Sequence, residues 1–405
     1  MSSSARPIED HGPRTSGARV ERDGGAHADG VPAGDGHAGS LPRQPDAEDA
    51  FAGADAHSRR VRWVLGGFAG LLVVGSLTAT ATGAVDISPA QTVAVLLGVL
   101  GVSVPDTVLG VDLTVTGQQE AVLLAIRLPR VLLGMVVGAG LAVAGAVLQG
   151  LFRNALADPG LIGVSSGASL GAAVAIIVGL ATALGPAGIA LFAFGGGLAT
   201  TLIVYRIATR RGRTSVTTML LAGIAVNALC GAAVGSLVLF ADDGQLRDLT
   251  FWTLGSLGGA SWSTVGVTVI FVGLALAITP WLARSLDAML LGEAEAAHLG
   301  IRTERVKAVC VSLAALAVAA ATAAAGLVGF VGLVAPHIVR LSIGPGHRAL
   351  LPGAALSGAA LVVVADLFSR VILDPIEVPI GIVTALSGAP FFLWLLLRER
   401  PESFA

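Results

Sequence analysis

From Trp63 to Leu397 the chain is a succession of long stretches without a charged side chain. They cover residues 63–85, 87–105, 131–152, 159–205, 214–241, 249–283, 308–336, 349–365 and 378–397. A helix needs about 20 apolar residues to cross the hydrocarbon core of a bilayer. A soluble fold cannot cover so many such runs. Hydrophobic residues make up 54% of the chain and charged ones 13%, against roughly a quarter charged in soluble domains. The chain is therefore predicted to be an all-α integral membrane protein, since helices satisfy their own backbone groups in lipid. No basic patch covers a soluble domain, which excludes a nucleic-acid binder.

The stretch 159–205 is too long for one helix, and Gly185-Pro186 is its natural break. Helices are predicted near 161–182 and 187–207. The stretch 308–336 outruns one span, so a further helix is placed from about Leu327 to Ser342. In 87–105, Ser88-Pro89 reads as a helix start, while Gly98, Gly101 and Pro105 shorten it, which suits a surface helix outside the membrane. The count is ten transmembrane helices. With the N-terminus inside, sixteen of the 25 Lys and Arg residues flank the internal side. Four lie outside, namely Arg127, Arg130, Arg247 and Arg370, and five belong to the segment before residue 58. This split predicts that both termini are cytoplasmic.

Residues 1–58 are rich in Gly, Pro, Asp, Arg and His and have no apolar period. The chain is therefore divided into a disordered cytoplasmic tail, 1–60, and a ten-helix unit, 61–400. No apolar signal region stands near Met1, and Ser58-Arg59-Arg60 reads as a positive flank rather than a twin-arginine signal. His11, His27, His37 and His57 are too widely spaced for metal capture. Cys230 and Cys310 lie in separate apolar runs and read as small buried hydrophobes. Lys307 is the only lysine. It stands between Val306 and Ala308, so the phosphate-cradling loop that requires a lysine is absent. Any ATP is hydrolysed on another chain.

Within the predicted spans almost nothing ionises. His337, Asp366 and Glu377 fall near helix ends, which argues against an ion-coupled carrier. Asp366 and Arg370 are placed to pair on one helix face. Gly134, Gly138 and Ala142 recur every four residues, as do Gly140 and Ala144, a pattern that lets helices approach closely. Gly163-Val164-Ser165-Ser166-Gly167 matches the nucleophile elbow G-x-S-x-G. An intramembrane serine protease pairing Ser165 with His337 is the alternative of another class; without a preceding strand, a Gly/Ser helix start is preferred. The segment Leu291 to Ile301 reads as a short amphipathic helix ended by Gly300, on the cytoplasmic side.

Several blocks together resemble the permease subunits of ABC importers for ferric siderophores, haem and cobalamin. They are Arg127-Leu128-Pro129-Arg130, Gly138 to Gly145, Gln149, Arg153-Asn154-Ala155-Leu156-Ala157-Asp158-Pro159, and Gly163 to Ala168. Further on come Trp252-Thr253-Leu254-Gly255-Ser256, the loop Leu291 to Ile301, Gly329 to Leu333, Pro336 to Arg340, Glu377 to Gly381 and Gly388-Ala389-Pro390. Ala155 departs from the family, which usually has Pro there, and the tail is no part of the pattern.

The resemblance implies a multi-pass protein of a prokaryotic plasma membrane. It implies a dimer with a second copy or a sister permease, two cytoplasmic ATPase subunits and an extracytoplasmic binding protein. ATP belongs to the partner subunit; no cofactor, metal or catalytic residue is implied on this chain. A ferric siderophore is the favoured cargo, with cobalamin and haem as alternatives. Arg127, Arg130 and Arg370 match positions that receive the binding protein. Leu291, Gly292, Glu293, Ala294, Ala297, Leu299 and Gly300 match the loop that couples to the ATPase. Val216 and Thr217 fall at the cytoplasmic gate. Gln149, Asn154, Ser165 and Ser166 are taken to line the pathway.

Overall fold

The structure is a computed structural model that describes residues 47–99, 101–102, 105, 107–108, 111–180, 184–373 and 375–398. The tail assignment for residues 1–46, with His11, His27 and His37, lies outside the described residues, as does Arg400. Helix α1 runs Ala47–Ala81, so residues 47–60, expected in the tail, are helical instead.

Among the described residues, eight helices are long and apolar enough to cross a membrane. They are α1, the continuous run Gly117–Phe152, α6 (Pro186–Ala208), α7 (Val216–Val238), α9 (Trp262–Leu290), α11 (Thr303–Ala325), α13 (His347–Val371) and α14 (Ile380–Arg398). Two helices expected as spans are shorter: α5, Val164–Ile177, has 14 residues and α12, Val331–Ile343, has 13. Each begins late because an irregular segment precedes it. Asp158 caps a 3-10 turn at Pro159–Ile162, and Gly163 then turns with φ 85° into α5. Gly326 ends α11 with φ 71°, and Phe330, with φ 66°, opens α12. The predicted break at Gly185-Pro186 is present, with Gly185 at φ 64° and Pro186 at the first turn of α6.

Short elements join these helices. Helix α2 covers Pro89–Val99. Strands β1 (Thr107–Val108) and β2 (Val111–Asp112) pair antiparallel, as do β3 (Thr209–Arg210) and β4 (Arg213–Thr214). The Gly117–Phe152 run comprises α3 (Gly117–Val122), one π turn (Leu123–Arg127) and α4 (Leu128–Phe152). The stretch 249–283, expected as one span, is divided between α8 (Asp243–Leu254) and α9. Asp242 and Gln245 start α8 with a reciprocal capping box. The last short helix, α10, is Glu293–His298.

Helix α4 is the hub, packed against α9, α11, α12 and α13. Lipid tails are as apolar as leucine, so burial alone does not hold such helices together; close packing does. The small-residue pattern supplies it. A Cβ on Gly138 would sit 2.2 Å from the Gly358 carbonyl oxygen, and one on Gly145 would sit 1.8 Å from that of Gly332. Helices α5 and α6 meet in the same way, with Gly171 against Phe192 O and Gly196 against Gly167 O. Outward-facing Leu221, Ile270 and Leu397 are exposed, as a lipid-facing surface requires.

Candidate functional site

The bundle carries a polar cluster at each end. At the first, the end of α1 meets the π turn, the end of α13 and the start of α14. The guanidinium of Arg127 donates to the carbonyl oxygens of Thr80 at 2.7 Å, Ala81 at 2.9 Å and Val85. It caps α1, whose last carbonyls have no partner of their own. Arg370 reaches the same helix end through Ala79 O at 3.1 Å and Thr82 O at 3.2 Å. Its Nε lies 3.3 Å from Asp366 Oδ2, so the pairing read from their spacing is present. Arg130 bridges to Asp366 through Nε at 3.0 Å and grips both oxygens of Glu377 at 2.9 and 3.0 Å.

Asp366 is buried between two guanidiniums, while the Glu377 side chain is 50% exposed. The hydrogen bonds from Arg130 hold the Glu377 carboxyl below the usual carboxylate range. A cavity of about 160 Å³ adjoins them, lined in part by Arg130, Ser256, Ser369 and Pro379. The structure thus gathers the three expected docking arginines at one corner but turns their side chains inward. Arg127 and Arg130 are buried, and most of their donors are used within the chain. Arg247, the fourth arginine expected outside, lies on α8.

The block Trp252 to Ser256 lies beside this corner, where three segments cross. Ser256 N donates to Ala325 O at 2.9 Å, and Ile380 N donates to Gly255 O at 3.2 Å. A Cβ on Gly326 would meet Trp252 O at 2.3 Å, and one on Gly381 would meet Leu254 O at 2.4 Å. Only glycine permits these approaches.

The second cluster lies at the other end. Helix α10 matches the expected amphipathic helix. Gly300, at φ 81°, closes it: Gly300 N donates to Ala297 O, and Ile301 N donates to Ala296 O. That is a Schellman cap. Ala296 is fully buried and anchors α10, whereas Leu291 and Leu299 are 69% and 66% exposed. Ala294 and Ala297 are exposed beside them. Glu293 turns back to the bundle and pairs with Lys307 Nζ at 2.7 Å. Lys307, 1% exposed, also donates to Thr214 O at 2.8 Å and to Glu304 Oε1 at 3.0 Å. Thr214 ends β4. Ser215 then caps α7, which begins with Val216 and Thr217. The hairpin turn carries Arg211 and Gly212, both at positive φ, as tight two-residue turns require.

The proposed pathway residues divide. Gln149 is buried between α4 and α12, accepting from Arg340 Nη1 at 2.9 Å and facing the Gly332 and Leu333 carbonyls. It links α4 to α12. Asn154 is exposed after α4, where Oδ1 accepts from Leu156 N. Ser166 Oγ reaches Asn227 Oδ1 at 2.5 Å and so ties α5 to α7. Ser165 stands in the first turn of α5 after a 3-10 turn, with no strand before it. His337 is on α12 with its ring edge toward Phe391, centroids 6.4 Å apart. The strand-to-helix elbow of a serine hydrolase is not the local structure here.

A model of the FecCD transport family matches residues 71–398. The hemin transport system permease protein of Yersinia pestis is 47% identical over 284 residues, covering 69% of this chain and 84% of that protein. The cobalamin import system permease of Halobacterium salinarum is 42% identical, covering 68% of this chain and 73% of that one. The vitamin B12 import permease of Escherichia coli is 41% identical, covering 70% and 86%. Among solved structures, an inward-facing metal-chelate type ABC transporter aligns with TM-score 0.72 at 31% identity, covering 83% of this chain and 99% of that one.

Proposed function

The chain belongs to the FecCD transport family, and from that premise we propose that it forms the membrane pathway through which an ATP-driven importer passes a metal chelate inward. It is an ABC importer permease, a multi-pass protein of the cell membrane and not itself an enzyme. Ten spans with both termini inside are part of the proposal. The Lys and Arg split supports them, and α5 and α12 would be the two short spans.

The observation that carries the ATPase assignment is α10. Exposed Leu291 and Leu299 flank this short helix at its two ends, while its Ala296 is buried against the bundle. Exposed leucines at both ends of a short helix anchored to the bundle suit insertion into a groove of a partner. Two ATPase subunits below a permease dimer would press on this helix when they close around ATP. The nucleotide stays on those subunits.

Docking of an extracytoplasmic binding protein is assigned to the opposite corner. Arg127, Arg130 and Arg370 outnumber the carboxylates of Asp366 and Glu377 there and leave a small positive excess, although their donors are mostly spent inside the chain. Steering of an acidic partner needs the charge, and free donors are not required for it. Such association slows with added salt.

Ferric siderophore is the first reading, as the commonest cargo of the family that the chain resembles. The 47% identity to a hemin permease favours a metal tetrapyrrole as the second reading. Proteoliposomes holding the permease, its ATPase and its binding protein separate the two. ATP-dependent accumulation of labelled ferric siderophore supports the first reading; accumulation of haem or cobalamin supports the second. ATP hydrolysis without accumulation of any chelate overturns both.

A further inference from the structure

The only lysine of the chain and its only tyrosine meet at one residue, Thr214. Lys307 Nζ spends its three donors on three different elements: Glu293 of α10, Glu304 on its own α11, and the carbonyl of Thr214 at the end of β4. Glu304 returns the contact, since its Oε2 accepts from Thr214 N at 2.8 Å. Both backbone polar groups of Thr214 are thus held by this ion cluster. Its hydroxyl lies 2.9 Å from that of Thr209 and 3.4 Å from Tyr205 Oη. Two residues later, α7 begins.

We propose that Lys307 is a positioning residue that transmits displacement of α10 to the β3–β4 hairpin and so to the start of α7 at Val216 and Thr217. The inference rests on the importer reading, in which the ATPase moves α10. A buried ammonium with all its donors used forms a stiff link, because moving one acceptor away leaves a buried charge underpaired. The chemistry also explains why this position is a lysine in a chain that otherwise uses arginine. Three acceptors on three sides suit a compact ammonium, whereas a planar guanidinium fork does not fit them.

The test uses the complete importer in proteoliposomes, with transport and ATP hydrolysis read on the same vesicles. Lys307→Met keeps the aliphatic volume, and the released Glu293 and Glu304, 43% and 36% exposed, regain water. Glu293→Ala leaves Lys307 paired with Glu304 and cuts only the link to α10. Lys307→Met is expected to hydrolyse ATP at near wild-type rate, and Glu293→Ala, which lies in the coupling loop, is read only as transport per ATP hydrolysed. Transport per ATP is expected to fall about tenfold, the coupling that members of one hydrogen-bonded network show. Lys307→Arg should not restore it.

Spin labels at Ala297 and Arg213 give a second readout. Their separation should stay fixed between nucleotide-free and ATP-trapped states in wild type and should change in Glu293→Ala. An unchanged transport-to-ATP ratio in Glu293→Ala overturns the proposal, as does a fixed label separation in that variant. A permease that retains no ATPase subunit overturns the importer reading instead. In that case the label pair on the permease alone, with and without Lys307→Met, still shows whether Lys307 holds α10 to the hairpin.

Discussion

Arg130 and Asp366, 236 positions apart in the chain, meet inside the bundle with Nε 3.0 Å from Oδ1. The contact ties α4 to α13, the two helices whose glycines already let their backbones touch. Arg370 flanks the same carboxylate, and Glu377 takes the remaining donors of Arg130.

This pairing predicts an asymmetric mutational response. Arg130→Leu leaves Asp366 buried with Arg370 alone, and a buried pair broken on one side costs about 3 kcal/mol. The melting temperature of the detergent-solubilised permease should drop clearly. Asp366→Leu leaves the buried Arg370 with no carboxylate and Arg130 with Glu377 alone, and should cost more than Arg130→Leu, which keeps the Asp366–Arg370 pair. An Asp366→Leu variant as stable as Arg130→Leu would show that the ion cluster is not what holds the corner.

The neighbouring Glu377 predicts a pH dependence. Arg130 lowers its folded pKa from the ordinary 4.5. A carboxyl lowered on folding contributes stability that is complete above its unfolded value and is lost as pH falls through the folded one. The difference in melting temperature between wild type and Glu377→Gln should be constant above about pH 5 and vanish in acid. A difference that grows on acidification would contradict the assigned partner.

Close helix packing predicts which glycines tolerate a methyl group. Gly145→Ala drives a Cβ into the Gly332 carbonyl, whereas Gly231 has open space around it. Gly145→Ala should sharply lower the yield of monodisperse permease. Gly231→Ala should be neutral or stabilise α7 by about 1 kcal/mol, the difference in helix propensity. Equal behaviour of the two would refute the packing account.

These sites differ in how far the sequence reveals them. The end of α10 at Gly300 and the break at Gly185-Pro186 are legible because a left-handed glycine or a helix-opening proline acts locally. Arginine counting finds Arg127, Arg130 and Arg370, but not the inward turn of their side chains. Their acceptors, the carbonyls of Ala79 to Val85 and the carboxylates of Asp366 and Glu377, are brought by other helices. Lys307 stands out as the lone lysine, yet its partner Thr214 is 93 residues away. Helix α8 has a local signal, the capping box from Asp242 to Gln245. The apolar run through Phe251 and Trp252 hides it by continuing into α9.

The last prediction concerns the exposed leucines flanking α10. Leu291 and Leu299, at the two ends of the short helix, are 69% and 66% exposed, while Ala296 within it is fully buried. Aspartate at either leucine adds charge where water already reaches and removes no core contact. Leu291→Asp and Leu299→Asp should therefore leave the permease melting temperature unchanged while sharply reducing the ATPase subunit recovered with it. Ala296→Asp buries an unpaired carboxylate and should lower the melting temperature itself. Copurification and thermal unfolding on the same preparations separate the two effects. Undiminished ATPase recovery by both leucine variants would move the coupling surface away from α10. Loss of recovery in parallel with stability would mean that the leucines support the fold rather than a partner.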